Sequence, residues 1–447
     1  MSGHNKNTLN EKPREQFSTT FGMVMAMIGA AVGLGNIWRF PYMVGLFGGG
    51  AFVIVFLGLV ALIGVPVMVS EWAIGRHFRR GPLGALKKSG IPGGKVLGWV
   101  NFTTIFMATS YYSIIIGWAL YYFVTSITGG LTDIHSGDFF NAILGNFGLQ
   151  FVFTAIVVAL VGLTLLLGVK NGIERVAKYT IPLLFVMMLV LFFKTMTLPN
   201  AMEGLKFYLL PDFSKINGGV VLGALGQAFF TLCLGGTFMV VYGSYMSDKE
   251  NLGKSALYTV IGDTFAGIFA GLIILPAAFS FGVELSSGPP LTFITVPEIF
   301  KAMPGGLVFM GIFFLLLFLA AYLSDIAAYE VLVSSLMDEF NWKRKKSIIF
   351  FCIAQLIVGI PSMISLDWML KNDLLWETTL QPFGSMVVVI ALLWYLPRVK
   401  VVEELKKGSK VKIIPDWLFF WMKYVVPAAI ALILFFGVKD LFLEFFI

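Results

Sequence analysis

Long uncharged runs recur along the chain at a length that suits membrane-spanning helices, which need about 20 mostly apolar residues. Eleven runs meet this requirement when a short fifth run is extended into its polar flanks. We name them spans 1 to 11, in the order 16–38, 40–70, 96–132, 146–169, 179–193, 218–246, 255–281, 303–336, 347–366, 378–397 and 417–438. The pattern predicts an all-α polytopic membrane protein.

The short loops differ in their content of lysine and arginine, and this difference predicts the orientation of the chain. The loops after spans 2, 8 and 10 are basic, whereas the loop after span 3 contains Asp133 and Asp138 and no basic residue. Basic loops are retained in the cytoplasm. We therefore expect a cytoplasmic N-terminus and, with an odd number of spans, an external C-terminus.

The composition excludes several classes of function. Hydrophobic residues make up 58% of the chain and charged residues 13%, so lipid rather than water is the expected solvent. Cys233 and Cys352 lie in apolar runs and His4, His77 and His135 are scattered, which leaves disulfides, zinc sites and catalytic triads without residues. The net charge of +7 is spread between the apolar runs, so we expect no nucleic-acid partner. Because the sequence offers no nucleophile–base or metal-binding constellation, we also expect that the protein is not an enzyme.

Glycine clusters interrupt two spans near their middle. Span 1 contains Gly29, Gly33 and Gly35, and span 6 contains Gly235 and Gly236. One interpretation is close helix packing through a GxxxG pattern. The other is local unwinding, which a membrane tolerates only where the free backbone groups line a cavity. Spans 1 and 6 are corresponding members of two five-helix halves, which favours unwinding and an inverted-repeat transporter.

Four acidic residues fall inside or at the ends of predicted spans, where a charge must face protein, water or an ion. They are Glu71, Asp263, Asp325 and Glu330. Glu71 and Glu330 also have structural interpretations, as an acceptor for loose backbone and as part of a helix contact. Asp263 is the strongest candidate for an ion ligand.

Five stretches carry a resemblance to a known family. They read GLGNIWRFP at 33–41, GGGAF at 48–52, EWAIGR at 71–76, KNGIER at 170–175 and QAFFTL at 227–232. They resemble the neurotransmitter:sodium symporter family, and the similarity covers spans 1 to 10. The resemblance implies a leucine-transporter-like fold with a 5+5 inverted repeat and broken helices 1 and 6. Eleven transmembrane helices are typical of its bacterial amino-acid transporter branch, which implies a bacterial inner (plasma) membrane.

This resemblance predicts the organisation of the whole chain. We expect a cytoplasmic tail at 1–15, a first repeat at 16–198, an extracellular loop at 199–217, a second repeat at 218–397, and a cytoplasmic loop with span 11 at 398–447.

The resemblance also implies a binding site for an amino acid. Its carboxylate is expected at the amides near Gly33 and Gly35 and at the hydroxyl of Tyr112. Its amino group is expected at the carbonyls of Ala31, Phe230 and Thr231. The side-chain pocket is expected to consist of Ala108, Phe230, Cys233, Gly236, Ser324 and Ala328. Because several of these residues are small and none is cationic, we expect a bulky hydrophobic or aromatic substrate rather than an acidic one.

One or two sodium ions are implied as coupling ions. The first site comprises the Ala31 carbonyl, Asn36, Thr231, Asp263 and the substrate carboxylate. The second comprises the carbonyls of Gly29, Val32 and Ala320 together with Ser324. Leu323 replaces a hydroxyl there, and a one-residue shift in the alignment makes Asp325 a ligand instead. Coupling to a proton or to a single sodium ion therefore stays an alternative.

Chloride is not expected, because Asp263 supplies a negative charge and the family's chloride positions hold Phe56 and Gly267. The resemblance further implies an outer gate between Arg39 and Asp373. An inner gate is implied between Arg14 and Asp338, next to Tyr245. Gly172 and Pro182 have the spacing that lets span 5 unwind in this family. A non-transporting amino-acid sensor is a remote third possibility.

Overall fold

The computed structural model describes residues 14–131, 134–282, 291–410 and 413–446, which are helical apart from turns and short connections. Nine helices in this part of the chain are long and apolar enough to cross a membrane. A tenth results if Thr20–Ala31 and Gly35–Leu46, which form an angle of 57°, are counted as one span. Span 6 consists of two helices, Gly218–Thr231 and Phe238–Ser244, that are too short to cross alone. The count of eleven stays a prediction.

The remaining spans are single helices. Their bounds are Gly50–Phe78 for span 2, Gly94–Thr128 for span 3, Phe147–Leu166 for span 4, Val169–Thr195 for span 5, Leu252–Phe281 for span 7, Gly306–Phe340 for span 8, Arg344–Ile364 for span 9, Leu366–Tyr395 for span 10 and Asp416–Lys439 for span 11. The connections contain the shorter helices Pro82–Lys88, Ser136–Leu144, Ala201–Leu209, Val296–Lys301 and Arg398–Lys406.

Three predicted boundaries are wrong. The second half of span 1 continues to Leu46, and the turn into span 2 comes at Gly48 and Gly49, whose φ angles of +89° and +78° favour glycine. Span 5 begins at Val169, and span 10 begins at Leu366. In both cases the helix carries charged residues near its start and was cut short, because the criterion favoured uncharged residues.

Small residues bring span 2 against the second half of span 6. A Cβ atom on Gly75 of span 2 would lie 1.9 Å from the carbonyl oxygen of Val240, and one on Gly243 would lie 2.6 Å from the backbone of Trp72. Span 2 therefore lies directly against the second half of span 6. The first half of span 1 packs on spans 5 and 8, and its second half packs on span 7.

Glu174, in the KNGIER stretch, anchors the start of span 1 to span 5. Its carboxylate accepts hydrogen bonds of 2.7–3.2 Å from the amides and hydroxyls of Ser18 and Thr19. A Cβ atom on Gly22 would lie 2.1 Å from Glu174 Oε1, so only glycine fits there. The beginning of span 1 and the beginning of span 5 are therefore held together through one buried acid.

Candidate functional site

The first interruption, at residues 32–34, exposes backbone amides to side chains from other spans. Val32 is extended, and the amide of Gly33 donates to Oδ1 of Asn36 at 3.0 Å instead of to a carbonyl one turn earlier. The amide of Leu34 donates to the hydroxyl of Tyr112 at 3.4 Å. A Cβ on Gly33 would lie 2.8 Å from that hydroxyl, so glycine is required for the approach.

The second interruption, at residues 232–237, is held open by Glu71. Oε1 of Glu71 accepts hydrogen bonds from the amide of Gly235 at 3.2 Å, from the amide of Gly236 at 2.8 Å and from Ser385 Oγ at 2.5 Å. Cys233 and Gly236 have positive φ angles of 48° and 68°. Glu71 thus acts as an acceptor for loose backbone amides, which is the structural interpretation given to it above.

Span 10 supports the same segment, which sequence reasoning missed. A Cβ on Gly384 would lie 2.1 Å from the carbonyl oxygen of Gly235, and Nε2 of Gln381 donates to the carbonyl of Leu234 at 3.4 Å. The polar cluster from Gln381 to Ser385, inside an otherwise apolar span, was the available signal.

Three residues of the predicted first sodium site form one buried cluster. Nδ2 of Asn36 donates to Thr231 Oγ1 at 2.7 Å and to Asp263 Oδ1 at 2.8 Å, and Thr231 Oγ1 donates to Asp263 Oδ2 at 3.2 Å. None of the three is more than 2% exposed. The cluster has the oxygen atoms that a hard cation prefers. Binding a cation here would require the Asn36 amide to turn its oxygen towards Asp263.

A cavity next to this cluster contains most of the predicted substrate residues. It is lined by Ala31, Gly33, Leu34, Gly35, Ile105, Ala108, Thr109, Tyr112, Phe230, Cys233, Phe238, Ser324, Ala328, Glu377 and Gln381. Two predicted residues do not line it. Thr231 belongs to the Asn36–Asp263 cluster, and Gly236 faces Gly384 of span 10, whose carbonyl oxygen would lie 2.4 Å from an added Cβ.

Sequence reasoning missed six residues of this lining, which are Leu34, Ile105, Thr109, Phe238, Glu377 and Gln381. Glu377 follows Asp373 by one helical turn in span 10, but the boundary predicted for this span at 378 excluded both acids. A longer predicted span would have shown two acids on one helix face.

The predicted second sodium site is brought together only in part. Cδ1 of Leu323 lies 3.0 Å from the position of a Cβ on Gly29, so this apolar side chain faces span 1. Ser324 lines the cavity, and its Oγ lies 3.5 Å from the position of a Cβ added to Gly33. Val32 and Ala320 are buried.

Asp325, the alternative ligand predicted for that site, faces span 3 instead of span 1. Its Oδ2 accepts a hydrogen bond from Ser113 of span 3 at 2.9 Å, on a different side of span 8 from Leu323. Consecutive residues of a helix point about 100° apart, so Leu323 and Asp325 cannot both face span 1. Oδ1 of Asp325 has no hydrogen-bond partner in the described part of the chain.

The two residues of the predicted outer gate are not paired in this structure. The guanidinium of Arg39 stacks over the ring of Phe230, with 4.4 Å to the ring centroid, instead of pairing with Asp373. Both residues line a second cavity, which shares Leu34, Tyr112, Phe230 and Glu377 with the first. Asp373, predicted in a polar loop, lies within span 10 because that helix begins at Leu366.

The predicted inner gate is paired. Arg14 Nη1 lies 2.8 Å from Asp338 Oδ1, and its guanidinium lies 4.9 Å from the centre of the Tyr245 ring. Tyr245 also donates to Glu330, which pairs with Arg344 at 2.6 Å. Arg14, Asp338 and Tyr245 therefore meet as predicted, and Glu330 and Arg344 extend the network.

The segment predicted to unwind in span 5 is wound. Residues Val169–Glu174 form wide π-helical turns, and Pro182 lies inside the helix Arg175–Thr195. A Cβ on Gly172 would lie 2.0 Å from the carbonyl oxygen of Thr164, so this glycine permits contact with span 4. Unwinding at Gly172 and Pro182 stays a prediction.

Comparison with known proteins identifies relatives along nearly the whole chain. The sequence profile of the sodium:neurotransmitter symporter family matches residues 14–144 and 142–444. The uncharacterized sodium-dependent transporter YhdH of Bacillus subtilis is 34% identical over 446 residues, which cover 95% of this chain and 98% of YhdH. An uncharacterized sodium-dependent transporter of Haemophilus influenzae is 33% identical over 452 residues, which cover 95% of this chain and 98% of that relative.

A solved structure agrees with these relatives. The crystal structure of MhsT in complex with L-phenylalanine matches with a TM-score of 0.86 at 34% identity, covering 95% of this chain and 99% of MhsT. The match confirms the predicted all-helical, leucine-transporter-like fold. Family and fold are those of multi-pass membrane transporters and not of enzymes. The chain therefore belongs to the sodium:neurotransmitter symporter family.

Proposed function

We propose that this chain is a sodium-coupled symporter that imports a hydrophobic or aromatic amino acid by alternating access. The observation that carries this proposal is the meeting of two interrupted helices at one cavity, beside the buried cluster of Asn36, Thr231 and Asp263. The site lies in a bacterial inner membrane, with the N-terminus in the cytoplasm and the C-terminus outside.

The coupling between ion and substrate follows from charge. A cation at Asp263 and a carboxylate at the amides of Gly33 and Gly35 neutralise each other where neither is stable alone. The end of an interrupted helix adds a partial positive charge on the side of the carboxylate. The names of the relatives from Bacillus subtilis and Haemophilus influenzae, both called sodium-dependent transporters, support sodium as this cation.

The substrate follows from the lining of the cavity. Glycine at position 33 leaves the positive end of the interrupted helix for the carboxylate of the substrate. The side chain would contact Ala108, Ala328 and Phe238, which are apolar. The bound L-phenylalanine of MhsT supports an amino acid with a large apolar side chain.

One sodium ion per cycle is better supported than two. Leu323 faces Gly29 where the family has a hydroxyl, and Asp325, which could have replaced it, faces Ser113. A proton-coupled carrier is the second candidate, because it needs no second sodium site.

Transport by the purified protein in proteoliposomes tests these points together. Uptake of radiolabelled phenylalanine, leucine, alanine and glutamate is measured under an imposed sodium gradient and, separately, under a proton gradient. We expect a sodium gradient to drive uptake of the large apolar amino acids and not of glutamate. Uptake driven by a proton gradient alone, or binding of phenylalanine without uptake under either gradient, would refute sodium-coupled transport.

Chloride independence is tested in the same vesicles. The predicted chloride positions hold Phe56 and Gly267, whose side chains offer no donor to an anion. The ring of Phe40 packs beside both, 4.9 Å from the ring of Phe56 between centroids and 3.5 Å from the position of a Cβ on Gly267. Replacement of chloride by gluconate should therefore leave uptake unchanged. A strong loss of uptake in gluconate would overturn this part of the proposal.

A further inference from the structure

We propose that Glu377 extends the substrate range to amino acids with a long apolar stem and a positively charged tip, such as lysine. This inference rests on the proposed amino-acid transport and adds a determinant of specificity. Glu377 is the acidic residue among those that line the substrate cavity, and it lines the outer cavity as well. It lies in span 10, outside the family motifs at positions 33–41 and 227–232.

The surroundings of Glu377 contain more acidic than basic groups. Its Oε2 accepts a hydrogen bond of 2.9 Å from the hydroxyl of Tyr111, which lies 3.2 Å from Oδ1 of Asp373. Asp373, Glu377 and Arg39 all line the outer cavity, in which Arg39 is the basic residue. Two carboxyl groups therefore share one guanidinium.

One guanidinium leaves the second carboxyl group without a positively charged partner in this lining. A cationic tip would supply that partner by pairing with Glu377 directly. Hydrogen bonds to charged groups contribute about 1.5–3 kcal/mol, enough for discrimination of about tenfold or more between a charged and a neutral tip.

The rest of the cavity suits the stem of such a side chain. Ile105, Ala108 and Phe238 provide apolar walls, and Gln381 lies one turn beyond Glu377 on the same helix. Lysine buries its four methylene groups along apolar surface and holds its ammonium group at the end. The lining thus combines apolar walls with the acidic side chain of Glu377.

Competition for uptake by two amino acids of the same stem tests the inference. L-lysine and L-norleucine share a four-carbon stem and differ at the tip, where lysine carries an ammonium group. Each is titrated against radiolabelled leucine uptake into proteoliposomes containing the wild type, Glu377→Gln or Glu377→Asp. We expect lysine to inhibit the wild type and Glu377→Asp, and to lose about tenfold or more of its potency in Glu377→Gln. Norleucine should change by less than about twofold.

Asp373→Asn is the matched control, because Asp373 lines the outer cavity without lining the inner one. A smaller loss of lysine potency in this variant than in Glu377→Gln supports a role for Glu377 inside the substrate site. Equal losses in both variants, or no inhibition of the wild type by lysine, overturn the inference. Leucine uptake by the wild type is measured first, so failure of transport is recognised separately. Thermal unfolding in detergent identifies a variant that does not fold.

Discussion

At the scale of single residues, Asp263 and Glu377 show why some site residues are predictable and others are not. Asp263 interrupts an apolar run in span 7, and the cost of burying a charge makes such a residue conspicuous. Glu377 lies in the first half of its helix among other polar residues, where the same sequence pattern describes a solvated surface. Only its position beside the cavity distinguishes it.

Removal of the charge at Asp263 should weaken sodium binding without unfolding the protein. Asn36 and Thr231 can still hydrogen-bond an amide, and the uncharged group is cheaper to bury. We expect Asp263→Asn to require about tenfold or more sodium for half-maximal thermal stabilisation in detergent. Asp367→Asn, at an exposed position of span 10, serves as the control. An unchanged sodium dependence in Asp263→Asn would exclude this residue as a ligand.

At the scale of elements, the unwound segment of span 6 depends on two neighbouring helices. Glu71 of span 2 accepts its amide hydrogens, and Gly384 of span 10 lets its backbone pass. The interruption was predictable from the glycines of span 6. The helices that stabilise it were not, because backbone hydrogen bonds across the bundle leave only a weak trace in composition.

Adding one methyl group to span 10 should therefore disturb span 6. The Cβ of Gly384→Ala would lie 2.1 Å from a carbonyl oxygen of Gly235, and neither backbone can yield locally. We expect a loss of about 1–3 kcal/mol of unfolding free energy and severe loss of uptake. The control is Gly226→Ala in the first half of span 6, where an added Cβ meets no atom within 4 Å. Equal uptake by both variants would contradict the contact.

The short helix Arg398–Lys406 is held by a buried ion pair. Nε of Arg76 lies 2.6 Å from Glu404 Oε1, and Lys407 Nζ lies 2.8 Å from Oε2. Burial alone would raise the pKa of Glu404, but hydrogen bonds from His77, Lys407 and Arg76 lower it to about 2. A pKa below the ordinary value of 4.5 means that Glu404 contributes stability above that pH and loses its contribution as the pH falls towards 2.

The Glu404→Gln variant should therefore be destabilised in a pH-dependent way. At pH 7 we expect a loss of about 3–5 kcal/mol, the usual effect of breaking a buried ion pair. The difference from wild type should shrink as the pH is lowered below about 4, because the Glu404 carboxylate of the unfolded wild type takes up a proton there, whereas the folded one stays charged until the pH nears 2. Thermal unfolding in detergent over this pH range measures the difference. Glu403→Gln, which changes an exposed neighbour, should match the wild type throughout.

At the scale of the whole molecule, the two sides of the substrate cavity differ. On the side of the N-terminus, Arg14 is paired with Asp338, and Glu174 holds Ser18 and Thr19. On the other side, Arg39 rests on Phe230 beside an outer cavity. In the proposed alternating-access cycle, this asymmetry corresponds to a state closed towards the N-terminal side, and we expect opening there to break the Arg14–Asp338 pair.

Cys233 can report that opening, since its thiol lines the cavity. In a Cys352→Ser background, an impermeant maleimide is applied to the N-terminal side of sealed vesicles. We expect Asp338→Asn to raise the labelling rate of Cys233 about fivefold or more, which corresponds to a loss of ~1 kcal/mol from the closed state. The neighbouring Glu339→Gln should have little effect. Equal rates in the wild type and Asp338→Asn would argue against a closing role for the pair.

The sequence by itself determined the properties that depend on local composition. Apolar runs long enough to span a bilayer, glycines that interrupt two of them and an acid in span 7 all follow from the cost of exposing polar groups to lipid. The family motifs added the residues of the predicted first ion site, and the structure brings Asn36, Thr231 and Asp263 within hydrogen-bonding distance.

Only the tertiary structure decided which side of each helix faces the site. Leu323, Ser324 and Asp325 are consecutive, yet they face span 1, the cavity and span 3 respectively. Gly236 likewise faces span 10 rather than the cavity. The direction of a side chain depends on helix rotation, and helix rotation is decided by packing between distant parts of the chain, which local sequence does not encode.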